Sequence, residues 1–297
     1  MSKPIAVVIV PVDRSPASRA GVVHGALLAH LLGARMELLH VLPLHPAELS
    51  DLPANRKPTG DRALEQFDSK AAAALAGARR ILAELPYTSE LRVDDIVLHE
   101  GSYVPHPDRA IVAHARSRPN AMLVMGGRRL GELGKLVRAS VTNAVVHSTH
   151  EPITVLHENS QALERIGRIL LPTDGSRHSL NAARFAGQLA RSAELAVDML
   201  FCQPAGNQKT QALADQETER VFALTSEALG HVPAGLEQRA ISSSQYAQAI
   251  VEQAEASSKP PIIIMGRRGL GPWQATLMGS ISQQVMSRAS CPVTLVV

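Results

Sequence analysis

Two short stretches decide the fold: Val10-Pro11-Val12-Asp13-Arg14-Ser15 and Leu171-Pro172-Thr173-Asp174-Gly175-Ser176, which lie 161 positions apart. Each closes an apolar run and opens a segment of helical period, so the chain reads as a repeat of one unit. Three further pairs agree at an offset of 140: Leu123-Val124-Met125-Gly126 with Ile263-Ile264-Met265-Gly266, Ala139-Ser140-Val141-Thr142 with Gly279-Ser280-Ile281-Ser282, and Glu151-Pro152-Ile153-Thr154-Val155 with Cys291-Pro292-Val293-Thr294-Leu295. The fall in offset from 161 to 140 makes the first copy longer by 21 residues. The surplus falls near 44–62, a Pro-rich polar stretch that reads as an inserted loop.

Working outward, each copy alternates short apolar runs with helical stretches. In the first copy strands are expected at 5–12, 36–42, 91–99, 121–126 and 152–157, with helices at 17–32, 61–85, 108–118 and 137–150. In the second copy strands are expected at 169–173, 195–202, 236–241, 261–266 and 292–297, with helices at 177–192, 210–230, 244–257 and 279–290. Uniformly apolar strands belong in a sheet buried on both faces, and strand–helix alternation makes that sheet parallel. The fold class is therefore α/β, with two tandem doubly wound five-stranded parallel-sheet domains of Rossmann-like type, at 1–158 and 167–297. The polar junction at 158–167 has no Pro and no Gly/Ser run, so the two units should pack closely.

Composition sets the outer limits. The 297 residues are 45% hydrophobic and 3% aromatic, with a net charge of +3 and two cysteines. That excludes disorder and a disulfide framework. It also leaves too few aromatics for a stacking surface, so no nucleic acid partner is expected. No leader peptide and no apolar stretch of membrane-spanning length is visible, so the expected location is cytoplasmic, without membrane contact. Cys202 and Cys291 read as small buried hydrophobes.

Ligands of open parallel sheets sit beyond the strands' carboxyl ends. In the second copy that region holds Pro172, Thr173, Asp174, Gly175 and Ser176 after the first strand. After the fourth come Gly266, Arg267, Arg268 and Gly269, then nine residues, then Gly279, Ser280, Ile281 and Ser282. Glycines admit close backbone approach, and a helix opening at Gly279-Ser280 offers free amides and a favourable dipole to an anion. Arg267 and Arg268 supply charge or a solvated surface pair. The hydroxyls of Ser280 and Ser282 add donors. A P-loop is absent, because the single Gly-Lys pair, Gly134-Lys135, is followed by Leu136. No nucleophile elbow is present, so no catalytic residue is assigned. The first 160 residues hold 10 of the 12 histidines, but His99, His106, His114, His147, His150 and His157 lack metal-ligand spacing and read as surface or capping residues. Asp174 by itself reads as a helix cap. Trp273 reads as packing or a contact.

The pattern Gly266-x2-Gly269-x9-Gly279-Ser280, in place after the fourth strand with Asp174 after the first, resembles the universal stress protein family in its tandem form. The likeness covers essentially the whole chain through the repeat. It implies an ATP-binding protein with a regulatory or protective role in the stress response. Pro172, Thr173, Asp174 and Cys202 would hold adenine and ribose. Met265 would line the pocket. Gly266, Gly269, Gly279, Ser280 and Ser282 would hold phosphates, with Mg²⁺ or Mn²⁺ bound through phosphate oxygens. The resemblance further implies that 152–157 and 292–297 pair inside one chain as a pseudo-dimer, with a homodimer of the whole chain and an unidentified protein partner left open. In the first copy Arg129 stands for Gly269 and Ala139 for Gly279, so one nucleotide site is expected, in the second copy. Two alternatives are carried: a nucleotide-free scaffold or chaperone-like protein, and a slow ATPase.

Overall fold

The computed structural model describes residues 4–42, 58–99, 106–127, 141–157, 160, 163–203, 208–267 and 280–297. The first half contains β1 (Val7–Pro11), α1 (Pro16–Leu32), β2 (Arg35–Leu42), α2 (Pro58–Ala83), a 3₁₀ turn (Thr88–Glu90), β3 (Val93–His99), α3 (Pro107–Arg116), β4 (Ala121–Gly127), α4 (Val141–Ser148) and β5 (Ile153–His157). The second half repeats the order: β6 (Arg168–Pro172), α5 (Arg177–Ser192), β7 (Ala196–Gln203), α6 (Gln208–Leu229), β8 (Leu236–Ser242), α7 (Tyr246–Glu255), β9 (Pro261–Gly266), α8 (Ser280–Arg288) and β10 (Val293–Val296). The expected insertion at 44–62 lies largely outside the described residues. Its last part differs from expectation, because α2 already begins at Pro58.

The strands form one sheet of ten, in the order β3-β2-β1-β4-β5-β10-β9-β6-β7-β8. Within each half every pairing is parallel. The halves join where β5 runs antiparallel to β10, with Val155 opposite Val293, Thr154 opposite Thr294 and Ile153 opposite Leu295. The Thr154 and Thr294 hydroxyls share a hydrogen bond of 2.7 Å at this seam, and both residues are fully buried. Pairing these two strands covers what would otherwise be an exposed edge in each half.

Local signals place the helices. Ser15 caps α1 by accepting from Ser18 N, Pro16 occupies the first turn, and Gly33 closes the helix at φ 61°. Ser176 caps α5 in the same way, accepting from Ser179 N. Apolar side chains of α1, α2, α5 and α6 form one layer over the sheet. Those of α3, α4, α7 and α8 form the other. Each layer contains residues of both halves, so the core is continuous across the seam. The central strands β1, β4, β6 and β9 are almost wholly buried, as their unbroken apolar runs require. The outermost strand β8 is exposed at nearly every position.

The junction between halves is tied to both. Ser160 N donates to His157 O, Gly167 N donates to Pro260 O, and His24 of α1 donates from Nδ1 to Leu163 O at 3.0 Å. The His24 ring is fully buried and its Nε2 has no partner among the described residues. Burial holds its pKa down at about 4. The folded protein therefore keeps this imidazole neutral, whereas the unfolded chain takes up a proton near pH 6.5. Stability is complete above that pH and declines as pH falls toward 4, because the unfolded state then binds the extra proton. Between pH 7 and 4.5 His24 alone is expected to cost about 2 kcal/mol. His24→Leu should flatten that part of the pH dependence of the urea midpoint; an unchanged slope would refute the assignment.

Candidate functional site

In the second half the chain runs from β6 to β7 and β8 on one side, then returns through β9 and β10 on the other. The strand order reverses between the neighbours β6 and β9, and open parallel sheets take ligands beyond the carboxyl ends of the strands at such a reversal. The segment after β6 begins there. Asp174 Oδ1 accepts from Ser176 N at 3.0 Å, and Gly175 turns the chain at φ 72°. Asp174 thus shapes the turn, while the capping oxygen of α5 belongs to Ser176. Asp13 makes the same turn in the first half, accepting from Ser15 N at 2.8 Å. Thr173 is buried behind the turn, and its hydroxyl shares a 2.8 Å hydrogen bond with Thr225 of α6. Pro172 is buried at the end of β6.

On the neighbouring strands, Cys202 is half-buried near the end of β7, and Met265 is buried near the end of β9. Burial pushes the Cys202 thiol up to about 11 and the Cys291 thiol up to about 12. Both remain protonated and poorly nucleophilic at neutral pH, consistent with packing roles. α8 begins in the connection from β9 to β10. Ser280 and Ile281 are exposed there, at a helix end whose first amides have no intrahelical acceptor. Gly266 is buried. Arg268, Gly269, Gly279 and Trp273 lie outside the described residues, as do Arg129, Ala139 and Ser140 of the first half.

Two expected phosphate contacts are corrected. The Arg267 side chain is not a solvated one: the residue is 3% exposed, and Nη1 donates to Val146 O at 3.0 Å and Thr149 O at 2.5 Å, both at the end of α4 in the first half. An arginine buried against helix-end carbonyls satisfies groups that would otherwise be orphaned. Burial, reinforced by this guanidinium, lowers the pKa of His147 on α4. Ser282 is buried, and its hydroxyl donates to Arg267 O at 2.7 Å. Thr142 does the corresponding work in the first half, donating to Gly126 O at 2.8 Å. These hydroxyls seat a helix on the preceding strand end.

The histidine reading is corrected too. His114 is buried, with Nε2 2.6 Å from Glu37 Oε2, and His157 is buried between Gly127 O and Met286 O. Local reading missed both, as it missed Glu37, although a lone acid within the apolar run Arg35–Leu42 was a usable signal. Among the described residues no group of three His, Cys, Asp or Glu converges as a metal site. Among them, too, no helix is long and apolar enough to cross a membrane.

The sequence matches the universal stress protein family over residues 5–157 and 165–297. A universal stress protein of Mycolicibacterium smegmatis is 27% identical over 303 residues, covering 97% of this chain and 96% of that protein. One from Thermus aquaticus is 34% identical over 134 residues, 43% of this chain and 96% of its own length. The crystal structure of a universal stress protein from Archaeoglobus fulgidus superposes with a TM-score of 0.67 at 16% identity, covering 98% of this chain and 97% of that one. Repeat, sheet order and sequence match agree: this chain belongs to the universal stress protein family, as two tandem copies joined in one sheet.

Proposed function

We propose that the chain binds an adenine nucleotide, ATP, in the second half, and serves a regulatory or protective role in the stress response. The observation that carries this reading is the reversal of strand order between β6 and β9, with the Asp174 turn following β6 and an exposed helix start, that of α8, in the β9–β10 connection. The residues fit such a ligand in kind. A half-buried acid and a half-buried Cys202 suit the nucleoside end, and the start of a helix suits phosphates. Phosphate charge is met by backbone amides rather than by Arg267, whose guanidinium is held by α4. Mg²⁺ or Mn²⁺ would enter on the phosphate oxygens. The first half is a poorer host: Val12 O, just before Asp13, lies 2.7 Å from His40 Nδ1, and the glycine pattern is broken by Arg129 and Ala139.

Calorimetry on the full chain tests this. Wild type is expected to bind one ATP, and Asp174→Ala to bind at least ten-fold more weakly, a loss of about 1.4 kcal/mol or more. Gly279→Val is expected to abolish binding by filling the approach to the backbone. Unchanged affinity in Gly279→Val would remove the site. Steady phosphate release lost in Asp174→Ala would make the protein a slow ATPase; no bound nucleotide in any form would leave a scaffold.

A further inference from the structure

The two halves hold each other by reciprocal contacts at equivalent places. Val146 of α4 and Met286 of α8 correspond at the 140-residue offset, and each lies in the last turn of the helix that follows a half's glycine segment. Val146 O accepts from Arg267 at 3.0 Å, and Met286 O accepts from His157 Nε2 at 2.9 Å. In both cases the donor belongs to the opposite half. Gly127, whose carbonyl lies 3.3 Å from His157 Nδ1, is itself the repeat counterpart of Arg267.

Arg267 joins more than the two halves. Its N–H donates to Val296 O at the end of β10, and its carbonyl accepts the Ser282 hydroxyl from the first turn of α8. It directly follows Gly266, the last residue of β9. One residue therefore connects the entry of the glycine segment, the start of α8 and the end of α4 in the other half.

We infer that Arg267, with His157 as its reciprocal partner, couples occupancy of the second half's site to the packing of α4 in the first half. The inference rests on the nucleotide reading above and adds its regulation. A phosphate-bearing ligand seated at the start of α8 restrains the Arg267 backbone through Ser282, and the restrained guanidinium holds α4 more firmly. Linkage makes the effect mutual: whatever loosens α4 weakens ligand binding by the same factor. Arg267 is a positioning residue here and not a phosphate ligand.

Hydrogen exchange on the full chain, with and without saturating MgATP, reads this directly, with calorimetry alongside. In wild type ATP is expected to slow exchange of amides 145–149 at least three-fold. Arg267→Ala is expected to bind ATP about ten-fold more weakly and to lose the exchange response in that segment. His157→Phe is expected to halve the response or more. Arg267→Met keeps most of the apolar bulk but has no donor for the two carbonyls that Nη1 serves, so it should behave like the alanine variant and serves if that variant fails to fold. ATP binding by wild type with unchanged exchange at 145–149 overturns the coupling alone. So does an exchange response that survives in the Arg267 variants. Absence of ATP binding by wild type overturns the nucleotide reading and the coupling together.

Discussion

Gly126→Ala is expected to destabilise the first half by about 3 kcal/mol or more, at the upper end of overpacking effects. A β-carbon at this position would fall onto the carbonyl group of Ala17, far inside van der Waals contact. The obstacle is backbone in the first turn of α1, so no rotamer change relieves it. Gly21 of α1 faces the same spot from the other side, where a β-carbon would stand 3.2 Å from Gly126 N. The helix crosses the strand end at a distance only two glycines permit. The urea midpoint measures the effect; a shift worth under 1 kcal/mol would show that α1 can slide. The result also bears on the glycine pattern. The first half has lost the counterparts of Gly269 and Gly279 but retains Gly126, because this glycine is needed for packing whether or not a phosphate is bound.

Glu37→Ala should cost about 3–5 kcal/mol, the usual penalty for breaking a buried ion pair by removing one partner. The Glu37 side chain is fully buried on β2 and faces three basic groups: Arg35 at 2.9 Å, His114 at 2.6 Å and Arg118 at 3.0 Å. Its removal leaves His114 buried without its acceptor and empties the volume of the side chain. Asp198 holds the corresponding place on β7, but its partners differ: Arg168 is at 2.7 Å and Arg239 only at 4.0 Å. Arg168 and Arg239 are also drawn to the exposed Glu237. Asp198→Ala should therefore cost less than Glu37→Ala in the same denaturation experiment. Equal losses would mean that the Glu37 cluster contributes by packing rather than by charge.

Much of the architecture was legible because it is written in local patterns repeated twice. The apolar runs, the helical stretches between them and the glycine at the end of each fourth strand mark elements by spacing alone, whereas the cap read at Asp174 falls to Ser176. The pairing of β5 with β10 was expected as well, on the strength of the family likeness. The site was legible only in outline. Asp174 and Ser280 lie where their place in the repeat puts them, but Arg267 and Ser282 do other work. Arg267 reaches carbonyls 121 and 118 positions away in the chain. No local rule connects residues so far apart, and an arginine beside glycines looks the same in sequence whether it faces a phosphate or a helix end.

By itself the sequence determined the repeated unit and the parallel order within each half, since these follow from periodicity and from the one-way twist of strand–helix crossovers. Only the tertiary structure decided which polar side chains are consumed in holding the halves together. Burial leaves helix-end carbonyls and strand acids in need of partners, and the nearest long side chain is taken wherever it originates in the chain.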